Sequence, residues 1–386
     1  MSNFNWPLNN SSFTFLDRIK LSLFVLNKNN FWTQHKYVKK IEKEFAEYVN
    51  VKYSVFVSSG STANTLIAMN LRDANKAKLK NIVIFPSTTW TTSISPFIRE
   101  GFKPKFIDIS LNDLCLDLDL TEEYLKNNHQ NVAAILCVSL IGQVPDIQRL
   151  KDLEKRYNVK VFLDNCENTL GLYNDRNVSS YFTSTTSTYF GHQLQSVEGG
   201  FIFTNSEEEY RYLLMNRNHG MTRSLSVYGI DTKDYANQNV DGLFDFYSLG
   251  NNFRNSDINA FIGLLDFARI DEYIEKRINI YNKIKDIFNS KDIILPKVIE
   301  GRTAVPFCFP FISKDANFIK SLMKFCKDNG IETRPIISGN LLKQTCYKEY
   351  DNYKNFKNSE FLHNNGFYIG IYPNIKDSQI KILKKF

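Results

Sequence analysis

The sequence lacks a long apolar run and a leader-like N-terminus. Its longest apolar stretch, residues 133–141, is about half of the ~18 residues that a membrane helix needs. The segment Met1–Pro7 has no basic stretch leading into an apolar one, so we expect no secretory signal. We therefore predict a cytoplasmic protein with no membrane partner.

A concentrated block of positive charge is also missing. Lysine and arginine total 48 against 41 for aspartate and glutamate, a formal net charge of +7, and no five basic residues stand together. Proteins that bind nucleic acid usually concentrate such an excess on one stripe, so we expect no nucleic-acid partner. A mild positive field suits a phosphorylated or nucleotide-linked ligand.

Paired cysteine motifs are absent as well. The six cysteines are scattered, none forms a Cys-x-x-Cys pair, and none stands between Cys166 and Cys308. In an intracellular chain of this length we expect buried thiols. No metal site is predicted.

A regular alternation of short apolar runs and helical stretches extends from residue 53 to residue 163. Strands separated by helices of about 10–15 residues indicate an α/β fold, with a mostly parallel sheet between layers of helices. The strands are predicted at Tyr53–Val57, Asn81–Phe85, Lys105–Ile109, Val132–Leu140 and Lys160–Leu163, and the helices at Ala63–Leu71, Ser93–Glu100 and Ile147–Tyr157.

Further helical patterns flank this region. Helices are predicted within residues 13–50, at Ser256–Asn289 with a break near Asp271, at Ala316–Asn329 and at Asp377–Lys385, with a strand at Val305–Ile312. We divide the chain into an N-terminal segment with a large domain (1–255) and a linking helix with a small α/β domain (256–386). Residues 224–243 are rich in Asp, Asn, Gly and Tyr and predict a long surface loop.

The segment Val57–Ala63 combines a strand end, a turn of small residues and a helix start. Unpaired N–H groups at a helix N-terminus receive a phosphate well, Gly60 permits a tight turn, and Ser61 adds a hydroxyl donor. A second small polar cluster, residues 185–188, follows a buried strand that ends near Asp164. The simpler interpretations are that Ser61 caps a helix and Asp164 caps a loop. In a cofactor pocket, an aspartate at that place can pair with a protonated ring nitrogen.

These residues belong to a longer series of motifs in a fixed order. The motifs are Ser59–Ala63, Phe85-Pro86 with Trp90, Asp164–Glu167, Ser187 with His192 and Glu198–Gly200, Arg217–Gly220, Asn252–Arg254, and Gly330 through Asn340. From about residue 15 onward the chain resembles the nucleotide-sugar aminotransferases, which are fold-type-I pyridoxal phosphate (PLP) enzymes. The resemblance implies an aspartate-aminotransferase-like fold, with a seven-stranded, mostly parallel sheet in the large domain and a smaller C-terminal α/β domain.

One position departs from the family pattern. The aminotransferases have a lysine seven residues before the Gly199-Gly200 pair, where it binds PLP covalently, and this chain has His192 there. Histidine cannot form that bond, but it can move a proton near neutral pH. A histidine-bearing branch of the family removes a sugar hydroxyl instead of installing an amine.

The resemblance therefore implies a 3-dehydratase that acts on a nucleotide-linked 4-keto-6-deoxyhexose. It implies noncovalently bound PLP or pyridoxamine phosphate (PMP), L-glutamate as amine donor, release of ammonia, and a 3,6-dideoxysugar product for a bacterial surface glycan. Whole-chain similarity favours GDP-4-keto-6-deoxy-D-mannose as the substrate. A second histidine branch carries an iron–sulfur cluster on cysteines beyond the histidine, and the lack of cysteine from 167 to 307 argues against that cluster here.

The resemblance also implies roles for individual residues. His192 is the predicted general base, Asp164 is expected to pair with the pyridinium nitrogen, and Trp90 is expected to stack on the ring. The other cofactor contacts are expected from Gly60, Ser61, Glu167 and Ser187, and from the partner subunit's Asn252. The candidates for binding the glutamate carboxylate or the nucleotide phosphates are Arg223, Arg254 and His219.

Two other functions remain open at this stage. A plain aminotransferase would need a lysine within Phe182–Gly200, and there is none. A non-catalytic binding subunit with the PLP fold has no physical reason to keep suitable residues at the phosphate, ring-nitrogen and stacking positions together. The resemblance implies a homodimer, because the sites of the family are completed across a subunit interface.

Overall fold

Helices and strands alternate along most of the chain. A computed structural model describes residues 4–75, 80–289 and 291–386. The helices are α1 (Phe15–Leu26), α2 (Lys36–Val49), α3 (Gly60–Asn75), α4 (Ser95–Arg99), α5 (Leu118–Asn128), α6 (Ile147–Tyr157), α7 (Glu207–Asn216), α8 (Arg223–Ser226), α9 (Asp257–Phe267), α10 (Ile270–Ile287), α11 (Ala316–Asp328), α12 (Lys357–Asn365) and α13 (Asp377–Ile380). The strands are β1 (Tyr53–Val57), β2 (Ile82–Pro86), β3 (Lys103–Ile107), β4 (Val132–Val138), β5 (Lys160–Asp164), β6 (Leu172–Tyr173), β7 (Arg176–Asn177), β8 (Thr183–Ser187), β9 (Gly200–Thr204), β10 (Arg302–Thr303), β11 (Cys308–Ile312), β12 (Thr333–Pro335) and β13 (Gly366–Gly370).

A seven-stranded sheet forms the centre of the large domain, in the order β1-β9-β8-β5-β4-β2-β3. Neighbours from β8 to β3 pair in parallel, whereas β9 is antiparallel to both β1 and β8. Every residue of β4 is buried, because helices cover both faces of the sheet. The predicted α/β fold with a seven-stranded, mostly parallel sheet is confirmed.

Helix α3 begins three residues before the predicted start at Ala63, because its first turn is closed by a reciprocal cap. Thr62 N donates to Ser59 Oγ at 3.1 Å, and Ser59 N donates to Thr62 Oγ1 at 3.0 Å. These bonds satisfy groups that a helix start otherwise leaves unpaired. The cap fixes α3 so that its N-terminus begins directly at Gly60.

The C-terminal part contains a three-stranded antiparallel sheet in the order β11-β13-β12, packed against α10 and α11. Trp6, from the other end of the chain, is fully buried in this core and donates from its indole Nε1 to Gly370 O at 3.0 Å. Ala260 of α9, in contrast, packs in a core cluster with strands of the large sheet. The division at residue 255 stays a prediction, and these two contacts cross it.

Several elements differ from the sequence-based predictions. The linking helix is interrupted between α9 and α10, close to the predicted break, and the C-terminal helix is shorter than predicted. Strand β4 ends at Val138, before a tight turn in which Ile141 has a φ of +49°. The expectation of buried cysteines is wrong for Cys346, which is exposed, and Cys166 is only partly buried. The elements missed by the prediction are α5, α7, α8, α12, β6, β7, β8, β9, β10, β12 and β13.

Among the described residues, no helix is both long enough and apolar enough to cross a bilayer.

Candidate active site

The predicted cofactor residues gather at one edge of the large sheet, where its parallel strands end. Strand β5 ends at Asp164, β8 ends at Ser187, and β1 leads through Ser58 into α3. Open α/β sheets bind ligands at this carboxyl edge, because the loops and helix starts there leave backbone groups free. The location is therefore suited to a phosphorylated ligand.

Gly60 stands where the start of α3 meets the end of β8. An added Cβ at Gly60 would lie 2.9 Å from both Cys166 Sγ and Ser187 Cβ, so a larger residue would force the helix away from the strand. The approach brings the N-terminal N–H groups of α3 beside Ser187. Ser61 lies in the same turn, where its Oγ donates to Thr92 Oγ1 at 3.0 Å. Three predicted phosphate ligands thus lie together, and their role remains a prediction.

Asp164 is 2% exposed and accepts hydrogen bonds from neutral groups. Its Oδ2 accepts from Asn64 Nδ2 and Ser93 Oγ, both at 2.8 Å, and its Oδ1 accepts from Cys166 N at 3.0 Å. A carboxylate has about four acceptor sites, so these three donors leave room for one more. Within the described ranges Asp164 forms no salt bridge, and a protonated ring nitrogen would supply the missing cation.

Asn64 is a site residue that the sequence reasoning missed. It stands one helical turn after Gly60, donates to Asp164, and accepts from Thr185 Oγ1 at 2.7 Å through its Oδ1. Residues four apart share one helix face, so a buried asparagine at this spacing from Gly60 was a readable signal. Its bond to Thr185 orients the amide so that the NH₂ group faces Asp164.

Trp90 is 58% exposed, which is unusual for so large an apolar side chain. It immediately precedes the turn that carries Ser93, and Ser93 N donates to Trp90 O at 3.1 Å. Because Ser93 also binds Asp164, the Trp90 backbone is linked through Ser93 to the Asp164 carboxylate. An accessible indole at this place favours the predicted stacking role.

His192 lies in the loop between β8 and β9, and one hydrogen bond defines its tautomer. Its Nδ1 is 2.7 Å from Cys166 O. A carbonyl oxygen can only accept, so Nδ1 carries the proton and Nε2 keeps a free lone pair. The imidazole is therefore held with a proton-accepting nitrogen that is not used by this bond.

The surroundings of His192 keep its ring neutral. Burial lowers the pKa of His192 to about 4, against the raising effects of the Cys166 carbonyl and of Asp164. His192 as a whole is half-buried, and the Phe307 ring packs with its centroid 5.5 Å from that of the imidazole. At neutral pH the base form is consequently fully populated.

Glu167 is held against the turn that follows β4. Its Oε2 accepts from Ile141 N at 2.7 Å, and burial, with a smaller effect of Asp164, raises the pKa of Glu167 to about 8. Ile141 is β-branched with a φ of +49°, a strained conformation that this bond helps to fix. A protonated carboxyl presents one donor and one acceptor, so at neutral pH the Glu167 carboxyl is uncharged.

We expect Glu167→Gln to change how stability depends on pH. The folded protein holds the Glu167 proton up to about pH 8, while an unfolded chain loses it near the model-peptide value of 4.5. Stability is therefore fully present below that lower value and is lost as the pH rises toward 8, by up to about 1.4 kcal/mol per pH unit. Urea unfolding of the cofactor-free protein between pH 5 and 9 should show this loss in the wild type and not in Glu167→Gln. Parallel curves for the two proteins would contradict it.

Asn252 and Arg254 lie together beside the start of the phosphate turn. They line a cavity of about 350 Å³ that also includes Ser58, and Arg254 Nε donates to Asn252 Oδ1 at 2.9 Å. Ser58 N is tied to the same segment through Phe253 O at 2.9 Å. Both side chains are exposed and polar, which suits a ligand group or a partner chain at this cavity.

His219 lies in the turn that follows α7, and Arg223 is the first residue of α8. His219 has a φ of +62° and donates from its backbone N to Asn251 O at 2.8 Å. The Arg223 guanidinium lies 5.6 Å from the centre of the Phe244 ring. In the described ranges neither side chain forms a hydrogen bond to the residues that bind Asp164, and their substrate role remains a prediction.

Comparison with known proteins places the chain among sugar-modifying enzymes. The DegT/DnrJ/EryC1/StrS aminotransferase family matches residues 18–386. A GDP-4-keto-6-deoxy-D-mannose 3-dehydratase of Yersinia pseudotuberculosis is 32% identical over 369 residues, which cover 92% of this chain and 93% of the relative. The structure of the Escherichia coli GDP-4-keto-6-deoxy-D-mannose-3-dehydratase with bound hydrated PLP superposes with a TM-score of 0.87 at 29% identity over 99% of both chains.

A further similar structure is that of a GDP-4-keto-6-deoxymannose-3-dehydratase with a trapped PLP-glutamate geminal diamine. It has the same TM-score of 0.87, identity of 29% and coverage of 99% of both chains. Because the family match extends over nearly the whole sequence and agrees with the observed sheet order and carboxyl-edge site, the chain belongs to the DegT/DnrJ/EryC1/StrS aminotransferase family.

Proposed function

We propose that the protein is a PLP-dependent 3-dehydratase of GDP-4-keto-6-deoxy-D-mannose that uses L-glutamate as its amine donor. The observation that carries the proposal is His192, which replaces the covalent lysine of the family and holds a neutral Nε2 free in the site. The similar 3-dehydratases, one with PLP and one with a PLP-glutamate adduct, support the substrate, the cofactor and the co-substrate.

The residues present fit noncovalently bound PLP or PMP. The start of α3 with Gly60 and Ser61, together with Ser187, would hold the phosphate, since helix N-termini and hydroxyls bind that group. Asp164 has an acceptor site left for the pyridinium nitrogen, and Trp90 offers an accessible indole. When bound, the cofactor supplies the electron sink that allows the C3 hydroxyl of the sugar to leave.

The chain itself supplies orientation and proton transfer. Nε2 of His192 accepts a proton at the reacting centre, while Nδ1 stays bound to the Cys166 carbonyl, so the ring does not rotate as it changes charge. Once protonated, the same nitrogen can donate to the departing hydroxyl. Asp164 favours that protonated state, because its negative charge raises the pKa of the ring. A lysine-type amination has no candidate nucleophile here, since Phe182–Gly200 contains no lysine.

We expect the product to lose one oxygen atom. The protein is mixed with PLP, L-glutamate and GDP-4-keto-6-deoxy-D-mannose, and the sugar nucleotide is weighed by mass spectrometry. Replacement of the C3 hydroxyl by hydrogen with retention of the ketone lowers the mass by about 16 Da, whereas amination of the ketone raises it by about 1 Da. The amine product would contradict the dehydratase proposal. An unchanged mass would contradict the GDP sugar as substrate, and the same measurement with CDP- and TDP-linked sugars would follow.

We also infer that the enzyme is a homodimer whose sites are completed at the interface. Exposed apolar side chains cluster on α1 and on the segment before Asn252, and each is more than half exposed: Leu16, Leu23, Leu26, Phe244 and Leu249. A surface of this kind usually marks a protein–protein contact. The positions of Asn252, Arg254, His219 and Arg223 outside the Asp164 pocket agree with contributions to the partner's site.

A cytoplasmic location is part of the proposal, because all six cysteines are free thiols.

The dimer can be tested with two matched substitutions. Sedimentation should give twice the 44.9 kDa of one chain. Leu249→Asp places a charge in the proposed interface, so we expect dissociation together with loss of turnover. Val298→Asp is the control, since Val298 is equally exposed at 91% but lies in the C-terminal part of the chain, outside that cluster. A fully active monomer, or equal behaviour of the two variants, would contradict the inference.

A further inference from the structure

Arg277 of α10 is a buried cation, and the buried Asp266 carboxylate acts on it only from beyond salt-bridge distance. Arg277 is 1% exposed, and within the described ranges its guanidinium forms no salt bridge. Nη1 donates to Ile371 O at 2.6 Å and to Pro306 O at 3.2 Å, and Nη2 donates to His192 O at 3.4 Å. The partners of this charge are therefore backbone carbonyls from separate segments of the chain.

A buried guanidinium whose hydrogen-bond partners are all carbonyls has lost its hydration without forming a salt bridge, which is unfavourable for stability. Burial lowers the pKa of Arg277 to about 10, and its Nε has no hydrogen-bond partner among the described residues. An apolar side chain of similar length would avoid this desolvation cost. The arrangement is explained if holding these carbonyls in place has a function of its own.

The segments that Arg277 holds surround the His192 imidazole. Phe307, which follows Pro306, packs its ring 5.5 Å from that of His192, and Nη1 of Arg277 is 3.4 Å from Phe307 O. The next residue after the histidine, Gln193, is tied to the same strand by Nε2, which donates to Val305 O at 2.6 Å. The chain at His192 and at the residue directly after it is thus linked to residues 305–307.

We propose that Arg277 is a positioning residue for His192: its guanidinium joins the carbonyl of His192 to those of Pro306 and Ile371 and so fixes the catalytic ring between the large and the small domain. The proposal rests on the proposed base role of His192. Two contacts fix the two ends of that residue, since Nδ1 is bound by Cys166 O and the main chain is bound by Arg277. Together they define where Nε2 points.

Arg277 also acts on the ring through its charge. The groups that affect the His192 proton are the Cys166 carbonyl and Asp164, which raise its pKa, and Arg277, which lowers it. The neighbouring Tyr189 ring packs edge-on at 6.3 Å between centroids. Removal of the Arg277 charge should therefore make His192 easier to protonate, an effect that a purely structural residue far from the ring would not have.

Arg277→Gln and Arg277→Lys separate these two effects. The cofactor-free proteins are labelled with ¹³C-histidine, and the His192 signal is identified by its loss in His192→Asn. We expect Arg277→Gln to raise the His192 pKa, because the charge that lowers it is removed. In Arg277→Lys the charge remains but a single ammonium cannot reach all the carbonyls, so we expect a small pKa change and a shifted His192 resonance. Turnover should fall at least about tenfold in both, mainly in kcat, because misplacement of a base slows chemistry more than binding.

Lys283→Met is the control on the same helix, since Lys283 makes an exposed ion pair with Asp377 and should leave the His192 titration unchanged. If Arg277→Gln does not fold, Arg277→Lys alone decides by the His192 resonance and kcat. A wild-type His192 signal and wild-type kcat in the folded variants would overturn the positioning role. The His192 titration needs no substrate, so its result remains valid if the sugar proves to be a different one. A kcat unaffected by His192→Asn would instead overturn the proposed function.

Discussion

Replacement of His192 by asparagine should lower turnover by about 10²–10⁴-fold, the usual contribution of a positioned general base. The asparagine NH₂ group can still donate to Cys166 O, so the loop keeps its anchor while the proton-accepting Nε2 is lost. We therefore expect PLP affinity, followed by absorbance or fluorescence titration, to change by less than about threefold, well under the effect on rate. Steady-state kinetics with the GDP sugar then measure kcat directly.

His129→Asn is the matched control for this experiment. The Nδ1 of His129 also faces a backbone carbonyl, that of Leu125, at 3.1 Å, but the residue lies at the end of α5 away from the strand ends of the site. If both variants turn over at the same rate, His192 is not the base. The pH dependence of kcat/KM, which reports the free enzyme, provides a second check. The pKa of His192 is about 4, so its base form is lost only as the pH falls toward 4, and the wild-type kcat/KM should not decline between pH 7 and 5 on its account.

Replacement of Asp164 by asparagine should weaken cofactor binding more than any other single change at the site. Asparagine keeps the shape of the side chain but removes the negative charge that we assign to the pyridinium nitrogen. Loss of one partner of a buried ion pair typically costs about 3–5 kcal/mol, which corresponds to about a 10²–10⁴-fold rise in Kd. Equilibrium titration of the cofactor-free variant with PLP or PMP measures this change.

Asp108→Asn separates the loss of a ligand from the general cost of removing a buried carboxylate. Asp108 is 7% exposed and, like Asp164, is held by neutral donors, but its oxygens already accept from Ile109 N, Asn358 N, Ser359 N and Ser359 Oγ at 2.8–3.0 Å. We expect this control to lower the free energy of unfolding and to leave the Kd for PLP within about threefold of the wild type. Equal Kd values for both variants and the wild type would remove Asp164 from the cofactor site.

The parts of the site that could be predicted were those with a local signature. Gly60 and Ser61 stand at a strand-to-helix turn, and Asp164 ends an apolar run, so elementary rules for helix starts and strand ends locate them. A catalytic role for His192 could be predicted only because the family has a lysine at this position. Nothing in its immediate neighbours, Gly191 and Gln193, indicates a base.

Strand β8 shows why other parts could not be predicted. Its sequence, Thr-Ser-Thr-Thr-Ser, has no apolar residue, yet every position is buried. The hydroxyls are satisfied by groups outside the strand, and that of Thr185 donates to Asn64 Oδ1, 121 residues away in sequence. Such partners are set by tertiary packing, so a hydrophobic pattern cannot reveal the strand. The same holds for Arg277, whose carbonyl partners are up to 94 residues away in sequence.

The burial of Trp6 has a consequence for the order in which the protein is made. Its indole is bound to Gly370 across 364 residues, and its backbone N donates to Gly330 O at 3.1 Å. Domains generally fold as they emerge from the ribosome, N-terminal parts first. The large sheet contains no strand after residue 204 and can assemble early, but Trp6 lacks its hydrogen-bond partner in β13 until Gly370 has been synthesised. Trp6, near the beginning of the sequence, is thus added late to the core of the C-terminal part.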